Sequence, residues 1–323
     1  MTRALGTSDI LVSATGLGCN NFGRPGSATE HQDGTDAVIH AAIDAGITLF
    51  DTADLYGYSF GKSEEMMGRA LTSSALRGRR DEIVLATKFG YPESGAPYEG
   101  ARGSREFIRA SIEGSLTRLQ TDHIDLYQIH MPDEETPIAE TLSALDELVR
   151  EGKVRAFGHS NFSAEQMREA SRVADELGVT AFVSAQNELS LINRESDVSV
   201  TPAARELGLG LLPFFPLANG LLTGKFTRDH FPADSRIMRQ RAHVAEEANW
   251  DALDAYRALC EGWGVTMLEA TFGWMLTHEP IASVIAGATT PEQVRQNAAA
   301  GEAFRPSDEQ RAKIDALFPV PAA

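Results

Sequence analysis

Four polar side chains stand where apolar runs of this sequence stop. Asp51 closes ITLFDTA (47–53) with Tyr56 just beyond it, Lys88 ends EIVLATKFG (82–90), and His130 ends HIDLYQIH (123–130). A tyrosine in water, with a pKa near ~10, is a poor acid at neutral pH. A lysine beside it favours phenolate and lowers that pKa, while an aspartate can hold and charge-pair the lysine. A neutral histidine can orient a carbonyl oxygen or help relay the proton. Together they would polarise a carbonyl and protonate the alkoxide formed by hydride attack, with no metal required. Singly, each has a plain structural reading: Asp51 as a helix N-cap, Lys88 as a solvated strand end, His130 as a satisfied loop histidine. Their joint placement on three successive strand ends asks for a common explanation. Two further runs end in Ser160–Asn161 and Gln186–Asn187.

Such residues converge only if their strands run the same way. From residue 35 onward, short apolar runs alternate with amphipathic stretches. The stretch 35–46 sets Ala37, Val38, Ala41 and Ala45 on one side; 104–119 carries Ile108, Ile112, Leu116 and Leu119; 137–152 carries Ile138, Leu142, Leu145 and Val149. Counting a first strand near 15–20, there are eight strand candidates, nearly all apolar, the signature of parallel strands covered by helices. Right-handed crossovers leave an open doubly wound sheet or a closed barrel, and eight units favour closure. The doubly wound fingerprint G-x-G-x-x-G fails at both places where it begins, since Gly16 and Gly18 are followed by Asn21, and Gly208 and Gly210 by Pro213. The expected fold is α/β: a (β/α)₈ TIM barrel over 1–323 as a single domain, with extra C-terminal helices. Residues 3–18 are expected as an N-terminal β-hairpin over the barrel floor, turning at Gly6 to Asp9. In such barrels catalytic residues sit at the C-terminal ends of strands, facing one mouth.

The bulk numbers are compatible with this. A chain of 323 residues with 42% hydrophobic and 23% charged residues is ample for a barrel of ~250 residues plus insertions. A net charge of −17 argues against nucleic acid and against an anionic membrane surface. A few cations in one pocket can still override that sign locally. Cys19 and Cys260 are the two cysteines and have no motif spacing, so neither a disulfide framework nor a zinc site is expected. No apolar run suits a signal peptide or a membrane span, which makes the cytoplasm the expected compartment.

Taken together, DTADLYG (51–57) with SEEMMGRAL, LATKFG (85–90), DLYQIHMPD (125–133), GHSNF (158–162), PFFPLANGLLTGKF (213–226) and IAGATTPEQVRQN (285–297) resemble the aldo-keto reductase family. The resemblance runs from Leu5 to about Phe318. It implies a tetrad of Asp51, Tyr56, Lys88 and His130, with Tyr56 the general acid in reduction. It also implies NADPH, with NADH possible, lying across the barrel mouth. Ser160, Asn161 and Gln186 would hydrogen-bond the nicotinamide carboxamide, and Phe214 would stack on the ring, with Leu217 in the same contact set. Many members have Tyr where Phe214 stands, and grip the adenosine 2′-phosphate with a Lys-Ser pair and an Arg; here that stretch reads Gly287, Ala288 and Gln293. The sequence instead resembles the branch of bacterial general-stress reductases and potassium-channel β-subunits. In that branch Lys225 and Arg236 would bring positive charge to the phosphates, and Thr289, Gln293 and Asn297 would hold the adenosine end beside Gly287. Segment 218–248, with Lys225, Arg228, Arg236, Arg239 and Arg241, is then expected to clamp the cofactor.

Cys19, Asn20, Asn21, Phe22, Tyr56, Tyr58, Phe89, Tyr91, His130 and residues from 218–221 are expected around the substrate, a mixture suited to a small aldehyde or ketone. The rival from another class is an NADPH-binding sensor or regulatory subunit with slow turnover. A sugar-phosphate isomerase or lyase shares the fold but needs no Ser160–Asn161–Gln186 set. No G-x-S-x-G elbow supports a hydrolase. Nothing in the sequence marks an interface between copies.

Overall fold

The computed structural model describes residues 2–322 apart from 74, 77, 233–236 and 239–241. Eight parallel strands form one curled sheet: β3 (Thr15–Gly18), β4 (Leu49–Asp51), β5 (Val84–Phe89), β6 (Ile124–Ile129), β7 (Val154–Ser160), β8 (Ser184–Gln186), β9 (Gly210–Leu211) and β10 (Val284–Gly287). Their order is β10-β3-β4-β5-β6-β7-β8-β9. The ends meet through a parallel bridge between Leu211 and Ile281, in which the Leu211 amide donates to Pro280 O at 2.6 Å and the Ala282 amide to Leu211 O at 2.9 Å. This is the expected TIM-barrel architecture, closed at β9 by very short pairing.

Helices cover the outside: α1 (Gln32–Asp44), α2 (Lys62–Thr72), α3 (Arg105–Leu119), α4 (Ile138–Arg150), α5 (Ala164–Leu177), the short α6 (Glu195–Val198) and α7 (Val200–Glu206), α8 (Ala242–Glu246), α9 (Trp250–Trp263), α10 (Met267–Met275), α11 (Pro291–Ala303) and α12 (Asp308–Leu317). Local chemistry sets their ends. Ser163 and Gln166 form a capping box on α5, and Gly178 ends that helix in the left-handed region. The buried stripe of α1 is Thr35, Val38, Ile39, Ala42 and Ile43, not the alanine-centred face of the sequence pattern, and Ala37 is exposed. Ile39 and Ile43 remove far more apolar area from water than alanines do, so they set the rotation of the helix. The C-terminal helix α12 is tied back by Arg194, which donates to Asp315 Oδ1 and to Phe318 O, each at 2.8 Å. No helix among the described residues is long and apolar enough to cross a membrane.

Strand alternation divides the core in two. Phe50, Leu85, Phe89, Tyr127 and Phe157 face the helices, whereas Leu49, Val84, Ala86, Leu126 and Ala156 face inward. The hairpin of β1 (Thr2–Ala4) and β2 (Leu11–Ser13) closes the floor, inserting Leu5, Ile10 and Val12 into that inner cluster. Gly6 makes this possible: its φ is +58°, and a Cβ there would lie 2.1 Å from Val183 O. Gly6→Ala should therefore lower stability by at least about 2 kcal/mol, read as a shift of the urea unfolding midpoint. An unchanged midpoint would mean the plug is not pressed against the strands.

Candidate active site

The same alternation that fills the barrel interior delivers the polar residues. Going up each strand, inward positions read Leu49 then Asp51; Val84, Ala86 then Lys88; Leu126, Gln128 then His130; Ala156, Gly158 then Ser160. Apolar side chains seal the lower layers, and the top layer carries the chemistry.

Lys88 is fully buried, and its ammonium has three donors with three acceptors in reach. Nζ lies 2.7 Å from Asp51 Oδ2, 3.0 Å from Thr52 O and 3.3 Å from Tyr56 Oη. Asp51 is held in turn through Oδ1, which accepts from Gln186 Nε2 at 3.0 Å and Gln128 Nε2 at 3.4 Å. Burial works against the Lys88 charge, but Asp51 and then Tyr56 outweigh it, and the pKa stands above its ordinary value. For Tyr56 the balance runs opposite to the expectation from sequence. Burial raises the phenol above its ordinary pKa, and the pull of Lys88 recovers only part of that. Desolvation is larger than one neighbouring charge here because Asp51 already neutralises that charge.

His130 is pushed well below the ordinary histidine pKa by burial and by Lys88, so its ring is neutral. It meets Tyr56 and Tyr91 edge-on, with centroids 5.9 and 5.1 Å away, and its Nδ1 is buried without a hydrogen-bond partner. Next to it, Asn161 Nδ2 donates to His130 O at 2.9 Å and to Ser160 Oγ at 3.0 Å, while Ser160 Oγ donates to Gln186 O at 2.8 Å. Asn161 adopts φ +62°, a left-handed conformation asparagine tolerates better than most residues. Phe215, Ala218 and Asn219 share that region of φ, so the turn after β9 is strained as well.

These groups open into a cavity of about 1260 Å³. Ser160, Asn161 and Gln186 line it with Tyr56, His130, Asn20 and Asn21. Phe214 and Leu217 form a further wall, and Lys225, Gly287, Thr289, Gln293 and Asn297 complete the rim. Gln293 Oε1 accepts from the Thr289 amide at 2.8 Å, which fixes that corner. Of 46 aspartates and glutamates, only Asp51 lines the cavity among the described residues, and Lys88 already neutralises it. Among the described residues the lining cations are Arg24 and Lys225.

A family model described as the aldo/keto reductase family matches residues 14–318. The chain belongs to the aldo/keto reductase family. It is 35% identical over 322 residues, 97% of this chain and 91% of the relative, to an L-glyceraldehyde 3-phosphate reductase of Escherichia coli O157:H7. It is 35% identical over 314 residues, 92% of each chain, to an NADH-specific methylglyoxal reductase of Escherichia coli K12. A relative named as a probable voltage-gated potassium channel subunit beta, from Oryza sativa, is 32% identical over 302 residues, 91% of this chain and 89% of that one. The protein is thus an oxidoreductase of a family that works with NAD(P)H.

Not every expected residue of this reductase reaches the cavity. Phe89 is fully buried and stacked on Tyr127 at 4.6 Å between centroids, because the residue after inward-facing Lys88 must point to the helices. Cys19 and Phe22 are likewise fully buried outside the lining, and Tyr58 is 78% exposed. Arg228 is paired with Asp251 and Asp254 at 2.6 and 3.2 Å and does not line the cavity. Arg236, Arg239 and Arg241 lie outside the described residues. Sequence reasoning missed Gln128, a polar residue two before His130 in an otherwise apolar run and therefore on the same inward face.

It also missed the layer behind the reductase's tyrosine. Asp54 is fully buried, and the Leu55 amide leans toward its carboxyl without reaching hydrogen-bond geometry. Fully buried Glu64 lies close by, accepting from Thr87 Oγ1 at 2.6 Å and paired with Arg118 Nε at 2.7 Å. Burial first and the Glu64 charge second push Asp54 up to about 8. Native Asp54 is then protonated at neutral pH while the unfolded residue is ionised, so this position withdraws stability as pH rises from about 4 to about 8. Asp54→Asn removes that titration. In thermal melts its Tm should gain on wild type from about pH 5 to about pH 8 and level off above. Parallel curves for the two proteins would show Asp54 ionised in the native state.

Proposed function

We propose that the protein is an NADPH-dependent carbonyl reductase of the CH–OH class, one catalytic domain over 1–323, that converts aldehydes and ketones to alcohols with Tyr56 as general acid. The observation that carries this reading is the fully buried Lys88 ammonium, with two donors spent on Asp51 and Thr52 and the third on Tyr56 Oη.

The residues present fit a nicotinamide nucleotide. Neither Asn161 Oδ1 nor Gln186 Oε1 has a hydrogen-bond partner among the described residues, and both side chains line the cavity. Two free acceptors match the two N–H donors of a carboxamide. The Ser160 hydroxyl proton is already committed to Gln186 O, so Ser160 supports this pair mainly by positioning it. Phe214 offers a ring face for stacking, with Leu217 beside it, and loss of the tyrosine hydroxyl found in other members leaves that area intact. Lys225 supplies charge to the phosphates, and Gly287, Thr289, Gln293 and Asn297 hold the adenosine end. When bound, the cofactor supplies a hydride to the carbonyl carbon.

The protein's own part concerns the carbonyl oxygen. With Nδ1 of His130 buried and unpartnered, the favoured neutral tautomer keeps a lone pair there and carries its proton on Nε2, a donor for the oxygen. Tyr56 donates the proton that the oxygen needs as negative charge develops on it. A phenol raised above its ordinary pKa stays protonated through the physiological range, and Lys88 stabilises the phenolate left behind. An NADPH-occupied regulatory subunit would need the nucleotide contacts but no buried ammonium spent on a tyrosine hydroxyl.

Lys225 on the rim, with the one lining carboxylate among the described residues neutralised by Lys88, puts positive charge at the phosphate end of the cavity inside an acidic chain, which supports NADPH over NADH. Fluorescence titration should give the lower Kd for NADPH; the reverse order would assign the cofactor to NADH. Tyr56→Phe should cut kcat for aldehyde reduction by about 100-fold or more at nearly unchanged NADPH affinity. Loss of NADPH absorbance in wild type and mutant checks this, and wild-type kcat in the mutant would remove Tyr56 from proton transfer. Wild-type reduction should hold from neutral pH upward, falling only above the ordinary tyrosine pKa of 10. A fall near neutrality would make another group the acid.

A further inference from the structure

The chemistry derived above leaves Arg24 unused. It stands on the loop between β3 and α1 and lines the same cavity as Tyr56. One Nη donates to Asn20 O at 3.3 Å, while Nε is buried with no hydrogen-bond partner. A buried donor left unsatisfied is costly, and more so on a charged group. No described carboxylate lies within ion-pair distance of this guanidinium, although the chain carries 46 acidic residues. Glu30, the acid nearest in sequence, is turned to the Gly26 amide at 2.7 Å instead.

The loop that carries Arg24 is rigid. The Arg24 amide donates to Asn21 O at 3.1 Å and its carbonyl accepts from the Ser27 amide at 3.1 Å. Fully buried Thr29 donates to Asn21 O at 2.9 Å, and its carbonyl accepts from Gly23 N at 2.8 Å. Gly23, at φ +74°, is pressed against α2, where a Cβ would lie 2.6 Å from Lys62 Cγ. Gly57 approaches the same loop, since its Cβ would lie 3.0 Å from Phe22 O. The loop is thus locked to the Tyr56 side of the cavity. Tyr56 is also the titratable neighbour that Arg24 senses, while burial lowers the Arg24 pKa from its ordinary value. Lys225, exposed on the segment after β9, is the other lining cation among the described residues.

We propose that Arg24 receives a negatively charged group of the substrate, a phosphate or a carboxylate carried a few bonds from the carbonyl, so that the enzyme selects anionic aldehydes over neutral ones. The proposal rests on the reductase reading above. Tyr56 and His130 address the carbonyl oxygen, and a planar guanidinium with free donors accepts two oxygens of an anion at once. An anion there satisfies the buried Nε and meets a field no other lining carboxylate opposes.

The test compares kcat/KM at saturating NADPH for two matched pairs: glyceraldehyde 3-phosphate with glyceraldehyde, and succinic semialdehyde with butanal. Wild type should favour the charged member. In Arg24→Leu that preference should fall by about 10- to 100-fold, mainly through KM, the span of a charge-assisted hydrogen bond. Arg24→Lys should restore much of it, and the Kd for NADPH should stay within about twofold. A response confined to the first pair assigns phosphate, and one confined to the second assigns carboxylate. An unchanged preference overturns the proposal, and so does a parallel loss of NADPH affinity, which gives Arg24 to the cofactor. Should Arg24→Leu fail to fold, Arg24→Gln carries the same comparison. If no aldehyde, charged or neutral, consumes NADPH in wild type, the reductase reading has failed by itself. Calorimetric titration of inorganic phosphate into NADPH-loaded protein then still reads Arg24: about tenfold weaker binding in Arg24→Leu supports the anion site, and equal binding refutes it.

Discussion

An ammonium group with no solvent contact survives in a barrel core only if every one of its protons is accepted and its charge is balanced. Lys88 meets both conditions, and much of the upper barrel is arranged around doing so. Asp51 must end the neighbouring strand within reach of it, Gln186 and Gln128 must hold Asp51, and the turn after β4 must present both Thr52 O and Tyr56. Ser160 then bonds the carbonyl of Gln186, and Asn161 reaches back to His130. Five strands, β4 to β8, are coupled through hydrogen bonds that trace back to one charge.

The distribution of acid follows a similar logic on a larger scale. Most of the negative charge is placed on the outer surface, in pairs such as Arg109 with Glu147 and Glu151, where ion pairs contribute little and repulsion is screened. The cavity is spared it. The buried carboxylates Asp54 and Glu64 lie behind the tyrosine, outside the lining, with one of them kept neutral and the other matched by Arg118. A strongly acidic protein can in this way present an electropositive mouth.

The strands and the tetrad residues were legible because a polar side chain at the end of an apolar run is a strong local signal, and the barrel needs eight such runs. Gln128 carried the same signal two residues before His130 but sat inside the run, where it read as noise. Phe89 was misplaced for want of the period-two rule: the neighbour of an inward lysine cannot face inward. The α1 face was misjudged because alanines match the helical period as well as isoleucines do while burying less. The Tyr56 pKa depends on the difference between desolvation and a partly neutralised charge, and only depth in the fold sets that difference. Arg24 is invisible in sequence because its meaning lies in the partners it lacks.

The hairpin under the barrel has a kinetic corollary. With Leu5, Ile10 and Val12 sealing the floor, the described residues open the cavity at the C-terminal ends of the strands, so that what enters there leaves the same way. Whatever lies deepest, against Gln186 and Asn161, must arrive before whatever sits nearer the rim and must depart after it. Order of addition and release is then imposed by traffic through one opening.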